Sequence, residues 1–227
     1  MTEGVRIESR TSTGEAKTDP RAAAVTFVTT EHFVLQGARA ATIAESTGRA
    51  TMFLASVSGG LVALGLVATA SRVGTAFYAF GLVLLPTLAF VGLVTFERAL
   101  QSGVEDQGYA RRMALLRAFY FDKAPELAPY LLSVPPTDRL RVLGILGGRW
   151  QGFRTVAGMV GVITAVLAGS TASLVAILAS DHSLAAGLIA GGVVALAALV
   201  ALMRFQRAAW LRAADEPLIA GEEDASE

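Results

Sequence analysis

Cysteine is absent from the chain, which excludes disulfides, iron–sulfur clusters and thiolate zinc sites. Histidine is nearly absent too: His32 and His182 are the only two, and the reading below places them on opposite sides of a membrane, so they share no metal site or triad. Charge is scarce at 17% and balanced to a formal net of zero, without the basic footprint of a nucleic-acid binder. No Gly-Lys-Ser/Thr loop, G-x-G-x-x-G or H-E-x-x-H occurs. The string Gly144-Ile145-Leu146-Gly147-Gly148 imitates a phosphate loop but lacks the lysine.

The most telling absence lies inside four long runs. Residues 50–71, 75–96, 155–180 and 183–203 contain no Asp, Glu, Lys, Arg or His. Ion-coupled transporters need an ionisable group or a broken helix near the bilayer midplane to hold the coupling ion, so coupled transport is disfavoured. What the runs do hold is apolar: 53% of the chain is hydrophobic and the mean hydropathy is +0.54. Each run reaches the ~20 residues that cross a bilayer. The fold class is therefore all-α, a polytopic membrane protein with four transmembrane helices in two hairpins.

Basic residues fix the expected orientation. The segment 97–154 carries Arg98, Arg111, Arg112, Arg117, Lys123, Arg139, Arg141, Arg149 and Arg154, whereas the connections between paired runs offer only Arg72. Lysine and arginine in short loops stay on the cytoplasmic side during insertion. Both termini and the 97–154 segment are accordingly assigned to the cytoplasm, in a multi-pass plasma membrane protein. No apolar core follows a basic start within residues 1–49, so the first span is expected to direct insertion.

Residues 1–28 read as a disordered cytoplasmic tail, too poor in large apolar side chains to offset ordering entropy. Residues 29–121 form a pre-span helix capped by Thr29 or Thr30, the first span (50–71), the second (75–96) and a cytoplasmic helical extension. Phe33, Ala40, Ile43 or Ala44, and Thr47 recur at heptad spacing, and Glu45 and Arg49 make an i,i+4 pair. Met113, Leu116 and Tyr120 share a face of the extension. Pro125, Pro129, Pro135 and Pro136 break residues 122–154 into a linker with a short interfacial helix at 139–146. The third span (155–180) and fourth (183–203) follow, and residues 204–227 form an acidic cytoplasmic tail.

Candidate sites are structural. Ala55, Gly59 and Ala63 in the first span, and Ser183, Gly187, Gly191 and Ala195 in the fourth, recur every fourth residue and permit close helix packing, within one chain or between copies. Arg149, Trp150, Arg154, Arg204, Arg207 and Trp210 flank the later spans as interface anchors. Thr164, Ser170, Thr171 and Ser173 are candidates to line a pore, unless their hydroxyls bond back to their own helix. No catalytic, metal or cofactor residue is assigned. The cytoplasmic carboxylates Glu97, Glu105, Asp106, Asp122 and Asp138 show no metal-ligand spacing.

The stretch Thr30-Glu31-His32-Phe33-Val34-Leu35-Gln36, with the alanine-rich run, Glu45, Gly48 and Arg49 leading into the first span, resembles the start of a group of uncharacterised actinobacterial four-span membrane proteins. Seventeen arginines against two lysines suit that background. The resemblance implies four spans and brings no activity. The expected function is a non-catalytic membrane scaffold that engages a cytoplasmic protein partner or forms a homo-oligomer, held in the lipid bilayer and binding no nucleic acid. An oligomeric passive channel or membrane-permeabilising effector is the alternative, and a lipid-modifying enzyme the third.

Overall fold

The computed structural model describes the backbone of residues 20–123 and 155–215, with side chains for 24–119 and 155–214. Every regular element among them is helical: α1 (Pro20–Ser71), α2 (Thr75–Lys123), α3 (Val156–Ala179) and α4 (Leu184–Asp215). All four are long and apolar enough to cross a membrane. Of the expected tails, residues 20–28 belong to α1 and residues 204–215 to α4; their remaining residues and the expected interfacial helix at 139–146 lie outside the described residues.

α1 begins at Pro20 and not at Thr29. Proline suits a first helical position, where its missing N–H leaves no bond unmade. Thr29 and Thr30 sit inside the helix, their hydroxyls donating to the carbonyls of Val25 (2.8 Å) and Thr26 (2.9 Å). Glu45 and Arg49 make their i,i+4 pair at 2.9 Å. On α3, Thr155 caps the helix by accepting the Gly158 N–H at 2.9 Å.

Two turns of the same design connect the helix pairs. Arg72 and Val73 take left-handed backbone (φ 48° and 57°), as do Asp181 and His182 (φ 49° and 66°). The Val73 N–H bonds the Ala68 carbonyl at 3.0 Å and the His182 N–H bonds that of Ile177 at 2.9 Å, satisfying carbonyls that a helix end leaves orphaned. No glycine occupies any of the four positions. For the β-branched Val73 this conformation costs about 1 kcal/mol or more.

These turns set the register. Across α1 and α2, Leu64 lies at Gly81, Leu84 and Leu88 at Gly60, Phe53 at Gly92 and Arg39 at Asp106, each pair nearly equidistant from the turn. Across α3 and α4 the same holds for Ile177 with Gly187, Ser173 and Gly169 with Gly191, and Gly161 with Met203. α2 meets α3 through Leu174 at Gly81, Thr164 at Gly92 and Phe96 at Gly161. The helices therefore run alternately up and down.

Their order is a row. α1 packs mainly on α2, α2 on α3 and α3 on α4, while α1 and α4 do not touch among the described residues. Inside lipid the hydrophobic effect does not press helices together, so contact depends on close fit. Glycine notches supply it: the Phe53 ring fills the space at Gly92, and Phe96 that at Gly161. Phe53, Phe96 and Val160 are the most completely buried large side chains, 1–2% exposed.

Candidate functional site

The alternating row puts both turns at one end, where the rings of Tyr78 and His182 lie 5.7 Å apart. Apart from Arg72 and Asp181 in the turns themselves, the described charged groups belong to the opposite end. There α1 and α2 continue together far beyond the length a bilayer requires. Residues 20–49 and 97–123 would each add about 40 Å at ~1.5 Å per residue.

That extension is a packed pair. Leu35, Ser46 and Ala50 from α1 and Ala99, Leu100, Gln107 and Met113 from α2 are buried. Arg39 holds Asp106 in a two-point contact, Nε to Oδ1 at 2.6 Å and Nη2 to Oδ2 at 3.2 Å, a geometry that the flat guanidinium favours. The His32 Nδ1 is shielded from solvent. Burial first, and the Arg117 charge second, hold the His32 pKa below its ordinary 6.5, because both oppose a second positive charge.

The end of α4 is fastened to this pair. The Arg111 guanidinium donates to the carbonyls of Ala213 (2.8 Å) and Ala214 (3.3 Å), placing a cation where the helix dipole is negative. Trp210 lies over Gly103, where an added Cβ would sit 3.2 Å from the indole. Between α2 and α4 a shallow cleft opens, lined by Glu97, Gln101, Glu105, Phe205 and Arg212. Among the described residues no three His, Cys, Asp or Glu side chains converge.

The expected packing residues divide. Gly187, Gly191 and Ala195 face α3, with Gly169 and Gly191 each pressed on the other's carbonyl. Ser183 instead precedes α4 as a cap, its hydroxyl 3.4 Å from the Ala186 N–H. In α1, Ala55 and Gly59 are exposed and Ala63 half-buried; the glycine that meets α2 is the neighbouring Gly60. Thr164 and Thr171 donate to the carbonyls of Val160 (2.8 Å) and Leu167 (2.9 Å), and Ser173 packs on Gly191, while Ser170 is half-buried. Arg204 and Arg207 are exposed, and Trp210 packs against protein. Arg149, Trp150 and Arg154 lie outside the described residues.

The Arg39–Asp106 contact and the Arg111 cap were not anticipated. The first could have been found by folding the sequence about the 72–74 turn, since the two residues are equidistant from it. The second joins helices whose spacing no local pattern encodes. The chain matches no protein-family profile, no curated protein and no solved structure.

Proposed function

We propose that the chain is a non-catalytic scaffold of a bacterial plasma membrane, with two hairpins crossing the bilayer and both termini in the cytoplasm. Its α1–α2 extension receives a protein partner there. The orientation rests on the positive-inside asymmetry of the 97–154 segment.

One observation carries the partner. Val25, Phe27, Phe33 and Val34 on α1 are 50–74% exposed, on an unbroken helix that runs to the turn at Ser71. Phe27 lies about 66 Å along the axis from that turn. At the average ~20° tilt this lifts it about 62 Å, and Phe33, about 57 Å from the turn, about 54 Å, both beyond the ~40–45 Å of bilayer and headgroups together. Lipid therefore does not cover these side chains, and exposed apolar surface in water marks a contact site. The channel and enzyme alternatives draw no comparable support.

The test places a photo-crosslinking residue at Phe33 in intact cells, with Val193 as a lipid-facing control. A discrete protein adduct at Phe33 and none at Val193 is expected. Lipid adducts alone at both positions would refute the reading.

A further inference from the structure

We infer that the outer face of α1 is a self-association surface that takes a second copy of this chain, packed parallel about a two-fold axis along the membrane normal. The inference rests on the partner-binding reading above and names the partner.

From Phe27 to Gly65, stepping alternately three and four residues, every position is exposed and uncharged, and after Phe27 none is larger than valine. This is an unbroken seven-residue repeat. It points directly away from α2, which is met instead by Arg39, Phe53 and Gly60. Of the three hydroxyls in the stripe, those of Thr30 and Thr51 are bonded to carbonyls of their own helix, which leaves their methyl groups outward.

The glycines supply a separate argument. Gly37, Gly48 and Gly65 belong to the stripe and have nothing within 4 Å of an added Cβ, whereas Gly60 meets Leu88 at 2.9 Å. A glycine inside a helix weakens it, and close approach of another backbone is the usual compensation. No part of the described chain makes that approach. Three of the six such open glycines among the described residues share this face, which leaves room there for the close approach of a second helix.

The length of the stripe identifies that helix. It keeps one phase for about 58 Å, through the span and well into the extension, so a soluble partner would cover only one part and lipid only the other. The match is a helix that both crosses the bilayer and projects beyond it. α1 of another copy has this form, and copies inserted with one orientation present it in parallel, the self-complementary geometry of a two-fold dimer.

Charge and area agree. Glu31 and Glu45 flank the stripe on one side, while Phe33, Ala40 and Thr47 on the other carry no charge. A parallel pair thus sets no carboxylate against another. A strip roughly 10 Å wide on each copy would bury about 1,200 Å² in total, at the lower bound of stable interfaces.

The chain has no cysteine, so single cysteines report on the geometry directly. Gly37→Cys, Ala41→Cys and Gly48→Cys should each form a same-residue disulfide in native membranes under mild oxidation, because facing positions come within ~7 Å. Gln36→Cys and Ile43→Cys, turned aside from the stripe, should not. Adding Gly48→Leu to Ala41→Cys should lower the yield at least tenfold; adding Gly192→Leu should leave it unchanged. Equal disulfide formation in both sets, or none in either with the protein inserted, would overturn the dimer. A foreign-protein adduct at Phe33 without stripe disulfides overturns this inference and keeps the partner-binding reading; absence of both overturns the two together.

Discussion

Gly191→Ala and Gly192→Ala add the same methyl group at the same membrane depth, one residue apart, and should have opposite effects. At 191 the new carbon would sit 2.8 Å from the Gly169 carbonyl oxygen and 2.9 Å from the Ser173 Cβ, where ordinary contacts begin at 3.4 Å. The nearer obstacle is backbone, so α3 and α4 must separate by roughly half an ångström. Overpacking of this kind costs about 1–3 kcal/mol. At 192 nothing lies within 4 Å, and alanine gains up to ~1 kcal/mol of helix propensity. Alanine gains the same propensity at both positions, so the two variants should differ by the overpacking cost, about 1–3 kcal/mol. For a chain of this size that corresponds to a gap on the order of 2–12 °C in Tm, measured by circular dichroism in one detergent. Equal melting temperatures, or Gly191→Ala the more stable, would refute the α3–α4 interface.

Three further outcomes are expected. A double-mutant cycle on Arg39→Ala and Asp106→Ala should give a coupling of no more than about 1 kcal/mol, since both side chains remain a quarter to a third exposed, and it should shrink in high salt. Arg111→Ala should speed amide exchange in the last turn of α4 about fivefold, the effect of losing ~1 kcal/mol of capping, while α3 exchanges as before. Acidification should loosen the extension through His32. Its folded pKa lies below 6.5, so the unfolded chain binds the proton more readily. Stability is full above 6.5 and falls as pH drops through the folded value, a slope that His32→Gln should abolish in a pH series of thermal melts.

The four spans were legible because the sequence segregates charge so sharply. Phase was the part that local pattern could not supply. Phe33, Ala40 and Thr47 recur at heptad spacing yet are exposed, while Leu35, Arg39 and Ser46 face α2. A turn at 72–74 selects between these faces, and it is built from arginine and valine in a conformation that composition gives no reason to expect. Gly59 and Gly60 illustrate the same limit, since only the backbone register decides which one packs. Trp210 reads equally well as a headgroup anchor or as a lid on Gly103, because an indole suits both.

The shared register has a consequence for how such a chain can change length. Because α1 and α2 pair residue by residue outward from one turn, a single inserted residue rotates everything beyond it by about 100°. Arg39 would then point away from Asp106, and the outer face of α1 would turn with it. Substitutions can accumulate on this pair one at a time, but insertions preserve its faces only in steps near seven residues, added to both helices at matching distances from the turn.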